Sequence, residues 1–132
     1  MNIEFNIPNI EYHIKGVYRI IFDDKYIYFG STKDLKHRFL GWKYNILKNN
    51  LPNRIKNVIH ECKKITFEVI ETGSDIKILR AIEYYHMYFF KDLNAGNNSI
   101  ILNKIPITTF DILPLIEKTH KMPQEYYDLY GK

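Results

Sequence analysis

Residues 16–32 read GVYRIIFDDKYIYFGST. Two runs of β-branched and aromatic residues, 16–22 and 26–30, flank Asp23-Asp24-Lys25. Such residues suit a pleated, half-buried surface and the aspartates suit a tight turn, so the segment predicts a β-hairpin. Each strand also pairs a tyrosine with a glycine, in Gly16-Val17-Tyr18 and Tyr28-Phe29-Gly30. Packing accounts for the tyrosines. So does a pair of phenols facing one site.

Beyond Ser31-Thr32 the period changes. Leu35, Phe39, Trp42 and Ile46 recur at helical spacing over 34–48, and Asn49-Asn50-Leu51-Pro52 ends that helix. Ile55, Val58 and Ile59 mark a second helix over about 53–62, and residues 65–71 alternate as a strand. Thr72-Gly73-Ser74-Asp75 supplies a turn with a Ser or Asp N-cap, before a longer helix over about 76–91. Residues 2–14, with Pro8, read as an edge strand or extended arm, and 100–103 as a short strand. The order β-β-α-α-β-α predicts an α+β fold, a small and largely antiparallel sheet flanked by helices. A single domain over 1–132 is expected, with the motifs in 15–105 and a helical appendage over 106–132 that braces the core or forms a homodimer.

The bulk numbers narrow the class. An apolar fraction of 45% is enough for a core, and a net charge of +4 leans towards polyanionic partners without requiring one. The lone Cys62 excludes an internal disulfide and a thiolate zinc site, and points to a reducing compartment. The opening MNIEFNIPNIEYHI lacks the apolar run of a signal peptide. No stretch approaches the roughly 18–20 apolar residues of a membrane span. A cytoplasmic or otherwise intracellular protein is expected, neither secreted nor membrane-bound.

The helix over 76–91 carries an anomaly. At about 100° per residue, Ile76, Leu79, Ile82, Phe89 and Phe90 share one apolar face, and Glu83 falls inside it with His86 beside it. A carboxylate there costs several kcal/mol unless it is paired. It either pairs with a lysine or arginine at the stripe's edge or holds a metal in a cleft. Arg38, roughly 60° off the apolar centre of its helix, sits on the boundary and suits a carboxylate or a phosphate.

These residues resemble the GIY-YIG nuclease family. Gly16-Val17-Tyr18 stands for its first strand motif and Tyr28-Phe29-Gly30-Ser31-Thr32 for its second. Leu35-Lys36-His37-Arg38 resembles its arginine helix, and Leu79-Arg80-Ala81-Ile82-Glu83-Tyr84-Tyr85 its glutamate helix. Asn103, after Ile101-Leu102, is similar to the asparagine that often closes the domain. The likeness runs over about 15–103, in order. It departs from several members where they carry a histidine: one turn after Arg38 this chain has Trp42, while His37 points about 100° away from Arg38.

The resemblance implies a DNA endonuclease that hydrolyses a phosphodiester with one Mg²⁺ or Mn²⁺, leaving 5′-phosphate and 3′-hydroxyl ends. Tyr18, Tyr28, Arg38 and Glu83 would be catalytic, with Glu83 the metal ligand, Arg38 on the scissile phosphate, Tyr18 the general base and Tyr28 orienting the water. Gly16 and Gly30 would let strands and substrate approach each phenol closely, with Asn103 in support. Lys33, Lys36, Lys43 and Lys48 line a phosphate track or form a solvated face. The absent histidine leaves a second reading open: an inactive GIY-YIG-like module that binds nucleic acid or protein without turnover.

Overall fold

The computed structural model describes residues 2–93 and 100–102. Its elements are β1 (Glu4–Asn6), β2 (Gly16–Phe22), β3 (Tyr26–Thr32), α1 (Leu35–Leu47), α2 (Asn53–Ile59), β4 (Lys64–Thr72), α3 (Ile76–Leu93) and β5 (Ile100–Ile101). The chain is α+β, with one sheet in the order β1-β4-β2-β3-β5. The expected appendage over 106–132 lies outside the described residues.

The sheet is mixed rather than simply antiparallel. β2 pairs antiparallel with both β3 and β4 over its full length. At the edges, β1 joins β4 and β5 joins β3 in parallel. These edge pairings join strands far apart in sequence, and no local pattern encodes their direction.

The hairpin turn is secured from outside. Asp23 and Asp24 take positive φ (54° and 56°), a region aspartate tolerates better than most residues. The Asp23 Oδ1 accepts hydrogen bonds from the backbone N–H groups of Lys63 (2.9 Å) and Lys64 (2.8 Å), tying the turn to the start of β4.

Strand alternation divides the sheet into two packed faces. Tyr18, Ile20 and Phe22 of β2 meet Ile65 and Phe67 of β4 on one face, under Leu35, Phe39, Trp42 and Ile46 of α1 and Ile55 and Ile59 of α2. On the other face Val17 packs with Leu79 and Ile82 of α3, and Ile27 and Phe29 with Met87. The side chains of Phe89 and Phe90 are not among those described.

Caps place the helices. Asp34 is the N-cap of α1 and accepts from the His37 N–H (3.1 Å), while the buried Thr32 hydroxyl accepts from the Asp34 N–H (3.1 Å). The arginine helix therefore starts directly off the second tyrosine strand. Asn49, at φ 55°, ends it in the left-handed conformation common after a helix. Asp75 caps α3 by accepting from the Lys77 N–H (2.9 Å).

Gly41 interrupts α1 at a position where an added Cβ meets nothing within 4 Å among the described residues. Gly41→Ala is expected to stabilise the fold by about 1 kcal/mol, because glycine weakens a helix interior. Urea unfolding checks this as a higher midpoint at unchanged slope.

Candidate active site

Tyr18 and Gly30 face each other across the hairpin. A Cβ on Gly30 would lie 2.3 Å from both Cζ and Oη of Tyr18. The glycine lets the phenol lie across β3. The expected close approach of the strands next to this phenol is present, and the ring of Tyr18 itself takes the space a side chain would fill. At Gly16 a Cβ would come within 2.6 Å of Leu35 Cδ1 and 2.7 Å of the Glu71 carbonyl oxygen, so that glycine seats α1 close to the sheet.

The two phenols differ in access. Tyr18 is 1% exposed, with Phe39 edge-on at 5.3 Å between centroids. The Trp42 indole Nε1–H donates to its hydroxyl oxygen at 3.2 Å. Desolvation pushes its pKa up to about 12, outweighing that hydrogen bond. Tyr28 is half-buried and lies against Trp42 at 4.9 Å between ring centroids. Its pKa is raised first by burial and then by the charge of Glu83, against Arg38 and Arg54.

Glu83 comes from the opposite side of the sheet. It is half-buried on α3, and its Oε1 accepts from the Ser31 hydroxyl at 2.5 Å. Burial raises its pKa, opposed by that hydrogen bond and by the charges of Arg80 and Arg38. Its direct partner is a neutral hydroxyl rather than the lysine or arginine of the pairing alternative, and the charges of Arg80 and Arg38 act through space. β5 pairs with β3 only at Tyr26 and Ile27, so from Tyr28 onward that edge has no strand partner among the described residues. α3 packs on β2 and β3. The carboxylate of one face helps to raise the pKa values of the phenols on the other.

Arg38 is exposed rather than at a buried boundary. It borders a cleft of about 450 Å³ between α1 and α2, whose wall also includes Tyr28, Trp42 and His37. His37 shares that cleft despite its different angle on the helix.

Three of the four lysines expected to line a phosphate track or a solvated face lie over aromatic rings. The Lys36 ammonium sits over the Tyr12 ring (4.7 Å) and that of Lys43 over Phe5 (5.3 Å). Both cations are engaged by the N-terminal arm, and neither borders the cleft. Lys48 sits over Tyr44 (5.9 Å), and Lys33 is exposed. Asn103 lies outside the described residues. His86 stacks on the Phe29 ring, at 6.3 Å and 17° between planes.

Ser31 and Trp42 are the contributors that sequence reasoning missed. Ser31 follows the second tyrosine motif and alternates onto the α3 face, which is the signal that places it at Glu83. Trp42 reads as one more member of an apolar stripe, and its indole N–H shows only once Tyr18 is packed beneath it.

The donor set suits a hard cation. Among the described residues no group of three or more His, Cys, Asp or Glu gathers, so no cage for a ligand-hungry transition metal is present there. A single half-buried carboxylate fits Mg²⁺ or Mn²⁺, which keep several waters and need few protein ligands. Among the described residues no helix is long and apolar enough to cross a membrane. In comparisons with known proteins, the chain matches no family model, no curated protein and no solved structure.

Proposed function

We propose that this chain is a GIY-YIG-type DNA endonuclease, dependent on Mg²⁺ or Mn²⁺, that leaves 5′-phosphate and 3′-hydroxyl ends. The observation that carries this reading is the convergence of three elements at β3: Tyr28 lines one cleft with Arg38 of α1, and Ser31, three residues on, donates to Glu83 of α3. Titratable groups brought by separate elements to one place beside a cleft, with the pKa values of a phenol and a carboxyl raised by burial, are candidates for a functional site.

In this reading Glu83 holds the cation, which when bound stabilises negative charge on the phosphate and on the leaving 3′ oxygen. Ser31, by bonding one carboxylate oxygen, fixes the direction of the other. Arg38 presents a planar guanidinium to the scissile phosphate from the exposed side.

The phenols exchange the roles expected from the resemblance. A base must shed its proton and meet water, and Tyr18 is 1% exposed with a pKa near 12. Tyr28 reaches the cleft and is the phenol that contacts the attacking water. Tyr18 is a positioning residue: its oxygen accepts from Trp42, which leaves its own proton free to donate. Tyr28→Phe is expected to lower the single-turnover rate tenfold or more. Tyr18→Phe is expected to lower it less and to leave the pH profile unchanged.

Nick sealing tests the chemistry. A plasmid nicked by the protein with Mg²⁺ should be closed by DNA ligase without kinase or phosphatase treatment. Nicks that need end repair before sealing would overturn the proposed reaction. No nicking with either metal, alongside DNA binding that is indifferent to metal, would favour the non-catalytic module.

A further inference from the structure

We infer that the cleft between α1 and α2 is a subsite for one unstacked nucleotide of the bound strand, so that the protein selects DNA carrying an unpaired nucleotide. The site takes its position beside the scissile phosphate from the nuclease reading, while its capacity to hold a nucleotide rests on its own walls.

The cleft measures about 450 Å³ and is built from both kinds of surface that a nucleotide presents. Arg38, Arg54 and His37 bring donors for a phosphate, and none of the ten described residues that line it is acidic. Trp42, Leu51 and Pro52 give an apolar wall for a base. The half-buried Asn45 brings an amide, donor and acceptor together, which matches a base edge. Arg54 is held by donating from Nε to the Leu102 carbonyl oxygen at 3.0 Å. That bond fixes the side chain while leaving its terminal nitrogens for a ligand.

Size and shape select the state of the DNA. A stacked, paired base keeps its faces and its Watson–Crick edge covered, and a duplex does not enter a cleft sized for a small ligand. A base splayed out of the helix offers a π-face to aromatic or guanidinium planes and a free edge to an amide. Tyr28 belongs to both the cleft and the Glu83 cluster, so a nucleotide held here is next to the proposed scissile position.

Gly41 makes the subsite testable without disturbing the core. It lines the cleft, and among the described residues a side chain there meets nothing at its Cβ. Trp42, the only tryptophan of the chain, is an intrinsic reporter on the same wall.

The experiment measures binding, in EDTA, of a duplex with a single unpaired nucleotide and of its fully paired counterpart, by anisotropy and by Trp42 fluorescence. The bulged duplex is expected to bind at least tenfold more tightly and to change the Trp42 emission. Gly41→Leu is expected to remove that preference while leaving affinity for the paired duplex within about twofold. Equal affinity for the two duplexes, or an undiminished preference in a folded Gly41→Leu protein, would overturn the subsite. An abasic bulge that binds as well as the complete nucleotide would also overturn it, by showing that only phosphate is held. Plasmid cleavage separates the two readings. Cleavage without bulge preference removes the subsite alone, and preference without cleavage removes the nuclease alone.

Discussion

Glu83→Gln is expected to lose DNA cleavage by a factor of at least about 10³ and, in the same protein, to gain stability of about 1 kcal/mol. The loss follows from replacing an anionic ligand with a neutral amide, which holds a hard cation poorly. The gain follows from burial. Glutamine has nearly the shape of glutamate, and its amide oxygen still accepts from Ser31, yet it carries no charge to desolvate. Linkage fixes the pH dependence. Burial raises the folded-state pKa of Glu83, so its stabilising contribution is fully present below the unfolded value and is lost as pH rises through the folded one. The melting curves of the two proteins should therefore nearly coincide at acid pH and separate towards neutrality, by about 4 °C for a domain of this size. A variant less stable than the native protein at neutral pH would show that the charge is held by partners stronger than Ser31, Arg80 and Arg38.

Gly30→Ala is expected to destabilise the fold by about 3 kcal/mol, a large cost for one methyl group. The methyl would lie 2.3 Å from the ring of Tyr18, and the ring has nowhere to go. Phe39 stands at its edge, and Trp42 holds its hydroxyl. Shortening the obstructing side chain tests the cause. Tyr18→Leu alone should cost about 2–3 kcal/mol through the cavity it opens. In the Gly30→Ala background the same change should cost little, giving a coupling of about 2 kcal/mol in a urea-denaturation cycle. Additive costs would mean that Gly30 is required for something other than room for the phenol.

Much of this arrangement was legible in the chain itself, and the exceptions have physical causes. The hairpin, the helices and β4 are local matters of period, capping and turn chemistry. Thr32, Asp34 and Asp75 act where residue type alone places them. The parallel edge pairings and the division of helices between the two faces are non-local, and were not read. In the site, Tyr28, Arg38 and Glu83 stood out because each is a polar group on or beside an apolar pattern. The burial of Tyr18 was hidden because it depends on a glycine in the next strand and an indole from a helix. The aromatic contacts of two lysines were hidden for a related reason. A helical wheel places Lys36 and Lys43 on a basic surface, and only the folded N-terminal arm brings Tyr12 and Phe5 beneath them. The α1–α2 cleft joins residues from three elements and a linker, so no single segment announces it.

The most direct test of the central claim is conversion of supercoiled plasmid by the purified protein with Mg²⁺ or Mn²⁺, beside an EDTA control and Glu83→Ala purified identically. Nicked or linear DNA from the native protein with metal, and from neither control, is the predicted result. Equal cleavage by Glu83→Ala would contradict the role given to this carboxylate.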